Sequence, residues 1–156
     1  MRQTLYGVPK EKGLQFTIGK IKALILKGRK DQFVRHFTNK LLQGVLPRDT
    51  KGEIKALVKG VIRKVRFVKD PWRVETLQSA SNTINLGYGD CDDFVILLGS
   101  MIMSIGHRVR LVTAGFMNPT HIYLEVLTPK GWAPVDATIE KWSVAPPLPV
   151  IKRYDF

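Results

Sequence analysis

Residues 87–94 read Gly-Tyr-Gly-Asp-Cys-Asp-Asp-Phe, and the interpretation of the whole chain depends on this stretch. It holds the only cysteine of the protein, Cys91, and an apolar run with helical spacing follows it up to Ile105. A helix N-terminus carries partial positive charge and therefore favours a thiolate. The N–H groups nearest the thiol could also hold an oxyanion. The alternative interpretation of Cys91 is a buried structural thiol.

The composition is that of a globular protein. A chain of 156 residues with 44% hydrophobic and 24% charged residues fits one domain with a sizeable core. One cysteine excludes an intramolecular disulfide. The sequence contains neither a signal-peptide pattern nor an apolar run of roughly 18 residues, so we expect no membrane span. We expect the protein in the cytoplasm.

The net charge of +12 is concentrated in one half of the chain. Residues 1–73 contain 19 Lys and Arg against 5 Asp and Glu, whereas residues 74–156 contain 6 against 8. The basic half could attract nucleic acid, an anionic membrane surface or an acidic protein. A solvated basic surface that keeps the protein soluble is the alternative.

The N-terminal half predicts helices. The segment 18–26 could be a strand or a helix, because its periodicity does not decide between them. Residues 31–43 predict a helix that Asp31 caps and that stops before Gly44.

The next helix begins with a capping-box pattern at Thr50–Glu53 and has one continuous apolar face between Ile54 and Val65. Four cations spaced by four residues form a stripe on another face of this helix: Lys51, Lys55, Lys59 and Arg63. Like charges at this spacing repel, so the stripe carries a small stability cost and hints at an anionic partner. A merely solvated face is the alternative.

The C-terminal half predicts a sheet. A short helix or loop is expected over 72–86, with Leu77 and Ile84 as apolar anchors. After a helix stop at Gly106, alternating or apolar runs predict strands over 108–114, 121–127 and 132–135. The proline-rich residues 145–149 cannot join a sheet interior and should lie extended on the surface. We divide the chain into a basic arm and helix (1–48), a central domain (49–145) and a C-terminal tail (146–156), all within one compact domain.

His121 and Asp136 lie at the distal ends of the last two predicted strands. Thiol chemistry needs a base near the sulfur and a third group that orients the base. If Leu127 pairs with Trp132 across the turn, His121 and Asp136 share a face as diagonal neighbours. If Thr128 pairs with Trp132 instead, they fall on opposite faces unless a bulge intervenes.

Three features resemble the transglutaminase-like superfamily over residues 50–142: the glycine loop with Cys91, His121 on a strand, and the segment Gly131–Thr138. Arg66–Asp70 followed by Glu75–Thr83 is similar to small phage and prophage members, so we expect the protein in the virion if it derives from a phage. The resemblance implies an α+β fold of papain-like or transglutaminase-like architecture, with N-terminal helices and the cysteine helix packed on a small antiparallel sheet. It also implies Cys91 as nucleophile, His121 as general base and acid, and Asp136 as the residue that orients His121.

Several further residues could support these three. Asp90, Asp92 and Asp93 oppose a thiolate by their charge, and we expect at least one of them to cap the helix. We expect Trp132 to pack beneath the His–Asp pair. A side-chain oxyanion donor cannot be singled out, and the candidates are Gln78, Asn82, Asn85 and Tyr88. We predict no metal and no cofactor.

Two functions follow from these residues. The first is cysteine-dependent acyl transfer on peptide or glutamine amide bonds through a thioester, as in a protease, a deamidase or a transglutaminase-like enzyme. The second is a catalytically inactive papain-like binding module, docked through its basic half (1–73) on nucleic acid or an acidic partner such as a phage particle. A protein or peptide is the expected substrate of the first.

Overall fold

The computed structural model describes residues 4–6, 10–69, 75–139, 141–142 and 145–156. Within these ranges the protein has the predicted α+β architecture, with helices packed on an antiparallel sheet of five strands. The α-helices are α1 (Lys10–Gly28), α2 (Gln32–Leu41), α3 (Thr50–Lys64), α4 (Ala80–Leu86) and α5 (Cys91–Ser104). None of these is both long and apolar enough to cross a membrane.

The five-stranded sheet is built from the last five strands in the order β8-β7-β6-β5-β9. Its members are β5 (Val109–Ala114), β6 (His121–Thr128), β7 (Gly131–Asp136), β8 (Lys141–Trp142) and β9 (Val150–Tyr154). Two small sheets pair β1 (Thr4–Tyr6) with β3 (Glu75–Leu77) and β2 (Arg66–Phe67) with β4 (Tyr88–Gly89). A 3₁₀ turn, Ala137–Ile139, follows β7.

Helix α5 is the centre of the core. Its residues from Asp93 to Ile102 are all buried, which a helix achieves only when neighbours cover it on several sides. It contacts β6 on one side and the other helices on another. Helix α1 approaches it so closely that a Cβ at Gly99 would lie 2.9 Å from the Cδ1 atom of Ile25. This packing holds the N-terminus of α5, where Cys91 lies, in a fixed position against the sheet.

The structure resolves the ambiguity over 18–26 in favour of a helix. Ile18, Ile21 and Ile25 are buried on one face of α1, at helical spacing. The helix at 31–43 is confirmed with Asp31 as its cap, and Leu77 and Ile84 are buried as predicted. Trp72 lies outside the described residues.

Two local expectations are corrected. The cap of α3 is Asp49, whose carboxylate accepts a hydrogen bond from the Gly52 amide, and Thr50 is the first helical residue. The C-terminal tail is also more than an extended surface segment. Beyond the prolines, Val150–Tyr154 forms an edge strand that pairs with β5. An edge position is compatible with the prolines, because none of them lies inside the strand itself.

Candidate active site

The register of the β6–β7 hairpin brings His121 and Asp136 together. Leu127 pairs with Trp132, which is the register that the sequence required for a shared face. The Nε2 atom of His121 lies 2.5 Å from Asp136 Oδ2, and this leaves Nδ1 on the other side of the ring. The His121 side chain is 15% exposed, so part of its ring reaches solvent, whereas the side chain of Asp136 is buried.

Asp136 is held in place by Thr138, a residue to which sequence reasoning assigned no role. Its Oδ1 accepts hydrogen bonds from the Thr138 amide at 2.9 Å and from the Thr138 hydroxyl at 2.7 Å. An acidic side chain that bonds the amide two residues later is a recurrent local motif, and Asp-Ala-Thr carries that signal in the sequence. Because Oδ1 is engaged, the carboxylate presents Oδ2 to His121.

Tyr123 supports His121 from the same face of β6. The two rings are stacked with centroids 6.1 Å apart and planes 20° from parallel, and Tyr123 is buried. Residues two apart on a strand share a face, so the spacing alone could have indicated this contact. Leu148 of the proline-rich segment packs against the small cluster that contains Tyr123.

Cys91 is the first residue of α5 and lies against the start of β6. The backbone of Ile122, the residue after His121, hydrogen-bonds to the thiol and favours its ionised form. Burial and then the charges of Asp92 and Asp90 act in the opposite direction and are larger, so the pKa of Cys91 is raised far above its ordinary value. The thiol is therefore protonated at neutral pH, and it points towards Asp92 Oδ1 at 3.8 Å.

Asp90 and Asp93 form a reciprocal cap of α5, as expected for at least one of the three aspartates. Asp90 Oδ1 accepts from the amides of Asp92 and Asp93, and Asp93 Oδ2 accepts from the amide of Asp90. These bonds occupy the amides of Asp92 and Asp93. Among the amides of the first turn of α5, that of Cys91 itself is therefore left to donate a hydrogen bond beside the thiol.

The structure separates the four oxyanion candidates by their surroundings. Gln78 is buried, and its Nε2 donates to Asp93 Oδ2 at 3.1 Å and to the Tyr88 carbonyl at 3.3 Å, so both of its hydrogens are engaged. Asn82 is buried within α4, whereas Asn85 and Tyr88 are exposed. No hydrogen bond joins any of the four side chains to Cys91 in the described part of the chain.

Trp132 does not pack beneath the His–Asp pair. It is the second residue of the strand that Asp136 ends, four residues or about 13 Å away along β7. The guanidinium of Arg110 covers its ring at 4.2 Å. Among the described residues, no group of three or more histidine, cysteine or acidic side chains could hold a metal ion.

Fold and site together define a class: α+β proteins with a cysteine at the N-terminus of a buried helix and a His–Asp pair on the neighbouring strands. The chain belongs to the transglutaminase-like superfamily, whose family model matches residues 35–137. Comparison with curated protein sequences finds no match.

Solved structures share the fold at low sequence identity. A provisionally named cysteine protease from Cytophaga hutchinsonii is 17% identical with a TM-score of 0.62, and the match covers 86% of this chain and 47% of that protein. Calcium-bound LapG from Legionella pneumophila is 19% identical with a TM-score of 0.63, with 88% and 83% covered. The chain thus spans about half of the Cytophaga protein and most of LapG.

Proposed function

We propose that the protein is a cysteine hydrolase of amide bonds in peptides or glutamine side chains. The observation that carries the proposal is the His121–Asp136 pair with its buried and doubly anchored carboxylate. Ile122, the residue after His121, bonds the Cys91 thiol through its backbone, and the charge of Asp136 acts on the same thiol. Asp136 fixes the ring so that Nε2 is engaged and Nδ1 is the nitrogen left for the thiol. The family and the named cysteine protease among the structural neighbours support the same class.

In the proposed reaction the sulfur of Cys91 attacks the amide carbonyl while its proton passes to Nδ1 of His121. Proton loss accompanies attack because the thiol is protonated beforehand. The amide of Cys91 donates to the developing oxyanion. His121 then protonates the leaving amine, the C–N bond breaks and a thioester remains. Water attacks the thioester after giving a proton to His121, which releases a carboxylic acid and returns the proton to the sulfur.

A transferase would follow the same first half-reaction, with an amine in place of water as the acceptor. We place hydrolysis first because water is always present at the site. Incubation of the protein with a glutamine peptide and a labelled primary amine distinguishes the two outcomes, since only transfer attaches the label to the peptide.

The proposed pairing of thiol and imidazole is tested by alkylation with iodoacetamide near neutral pH. The His121→Ala variant should lose at least about tenfold in rate at Cys91, because the general base is gone. His36→Ala serves as the matched control, since His36 is exposed on α2 and we assign it no role in the candidate active site. Equal rates in wild type and His121→Ala would contradict the proposal and favour the inactive binding module.

A further inference from the structure

A groove of about 480 Å³ lies between α2 and α3, away from Cys91 and His121. Its floor is apolar and consists of half-buried side chains of Phe37, Leu41, Val45 and Ala56. Gly60 makes it narrow at the base, because a Cβ at this position would lie 2.3 Å from Leu41 Cδ1. The groove is therefore formed by close helix packing and exists before any ligand arrives.

The rim of this groove is cationic. Lys59, Arg63 and Lys64 line it, and all three are exposed. In the described part of the chain none of the three forms an ion pair with a carboxylate. The acidic residues of α3 and its cap are engaged elsewhere: Asp49 caps the helix, and Glu53 bonds His107 at 3.2 Å.

We propose that this groove binds an acidic, amphipathic segment of a partner polypeptide. Apolar side chains spaced at three and four residues on one face of such a segment would enter the floor. Carboxylates flanking them would meet the three cations of the rim, whose arrangement along one edge complements a row of negative charges. A nucleic acid would use the cations but leave the apolar floor without a role, so the floor favours a polypeptide.

The C-terminal end of α3, where Lys64 lines the groove, is joined to the segment that precedes Cys91. Helix α3 ends at Lys64 and continues directly into β2, where the amide of Arg66 bonds the Gly87 carbonyl at 2.9 Å and that of Val68 bonds the Gly89 carbonyl at 2.8 Å. Gly87 caps the end of α4 and Gly89 ends β4, two residues before Cys91. A polypeptide bound in the groove would thus extend towards the candidate active site as a substrate, and this last step alone rests on the proposed hydrolase function.

Binding is measured in the Cys91→Ser variant, so that no reaction interferes. The probe is a fluorescein-labelled helical peptide with leucines on one face and glutamates beside them. Its binding is measured by fluorescence anisotropy at low salt. Lys59→Glu combined with Arg63→Glu should weaken binding by at least about tenfold, since two attractive charges become repulsive. Ala56→Gln should weaken it as well, because it fills the floor without changing the charge.

The matched control combines Lys27→Glu with Lys130→Glu, two exposed lysines on α1 and on the β6–β7 turn. This double variant has the same net charge as the groove variant and should bind the peptide within about twofold of the parent. Unchanged thermal unfolding midpoints verify that all variants are folded.

Three results would overturn the inference: absence of peptide binding by the parent, equal losses in the groove and control variants, or complete displacement of the peptide by duplex DNA that binds more tightly. Failure here leaves the hydrolase proposal intact, because alkylation of Cys91 does not involve the groove. Failure of the alkylation test leaves peptide binding intact for the same reason.

Discussion

At the scale of single residues, burial and then nearby carboxylates oppose the ionisation of Cys91, and the helix terminus favours it. A helix N-terminus stabilises a negative charge by about 0.3–1 kcal/mol. A carboxylate some 4 Å from a thiolate costs up to about 4 kcal/mol at an effective dielectric of about 20. Burial is the largest cause of the raised Cys91 pKa, and the charge of Asp92, whose Oδ1 lies 3.8 Å from the sulfur, adds to it. The carboxylates and burial therefore prevail, and the thiol stays neutral.

Replacing Asp92 by asparagine should increase the reactivity of Cys91. The change removes the largest electrostatic contribution that raises the pKa of the thiol, so the thiolate fraction at a given pH rises. We expect alkylation by iodoacetamide to become about tenfold faster near pH 8 and the alkaline rise of the rate to move to lower pH. Rates over a pH series measure both effects.

Asp155→Asn is the control for the Asp92 substitution, since it removes the same charge at an exposed position near the C-terminus. Its pH profile should match that of the wild type. A profile of Asp92→Asn that coincides with the wild type would show that Asp92 does not govern the thiol.

The sequence allowed the three central site residues to be proposed but not the shell around them. Cys91, His121 and Asp136 are placed by a helix start and a hairpin register, and both follow from local patterns. The interactions of Trp132 and Gln78 depend on residues distant in the chain. Arg110 reaches Trp132 on β7 from β5, on the far side of β6, and Asp93 engages Gln78 from α5, so no local pattern could reveal either contact.

At the scale of elements, the N-terminus of α5 is fastened to the preceding segment by one buried carboxylate. Asp93 is fully buried and accepts from the amide of Gln78 at 2.8 Å, from the Gln78 side chain at 3.1 Å and from the amide of Asp90 at 3.1 Å. A buried acceptor with three donors is costly to remove because the donors lose their partner in a place that water does not reach.

Asp93→Ala should therefore lower the free energy of unfolding by about 3–5 kcal/mol. Asp49→Ala, which removes the exposed cap of α3, should cost only about 1 kcal/mol. Urea denaturation followed by circular dichroism compares the two aspartates directly. Equal losses would show that Asp93 is no more than an ordinary helix cap.

The loop between β5 and β6, which ends immediately before His121 in the chain, presents two large apolar side chains to solvent. Phe116 is 80% exposed and Met117 92% exposed, while the base of the loop is closed by a bond from the Thr120 amide to the Ala114 carbonyl at 3.0 Å. The next residue along the chain is His121. If the protein is the proposed hydrolase, this loop is well placed to contact apolar side chains of a substrate next to the bond that is cleaved.

Substituting both Phe116 and Met117 by serine should raise KM for a hydrolysed peptide by about three- to tenfold, since apolar contact area is lost. The value of kcat should change little, because Cys91 and His121 are untouched. Leu46→Ser, at a position 72% exposed after α2, is the control and should alter neither constant. A fall in kcat at constant KM would contradict a role in substrate binding.

The elements differed in how far the sequence could predict them. The β5–β7 strands and α2 have clear periodicity and turn residues, and they were predicted with small errors at their ends. Strand β9 was missed because it is short, lies at a sheet edge and alternates little. Its pairing with β5 spans a long stretch of chain, so only the folded structure reveals it.

At the scale of the whole molecule, a buried carboxylate joins three strands of the sheet. Glu125 on β6 accepts from Arg110 Nε on β5 at 2.8 Å and from Arg153 Nε on β9 at 2.8 Å. Burial alone would raise the pKa of Glu125, but the bonds from Arg153 and Arg110 outweigh it and hold the pKa below its ordinary value of 4.5. The C-terminal edge strand is thereby tied to the middle of the sheet.

Glu125→Gln should lower the free energy of unfolding by about 1–2 kcal/mol near neutral pH, a modest value because Arg153 is half-exposed. A pKa that is lower in the folded state contributes stability that is fully present above 4.5 and is lost as the pH falls through the folded value. The difference between wild type and variant should therefore shrink below pH 4.5. Urea unfolding at a series of pH values measures this difference in the free energy of unfolding. A difference that stays constant down to acidic pH would show that the charge of Glu125 does not stabilise the sheet.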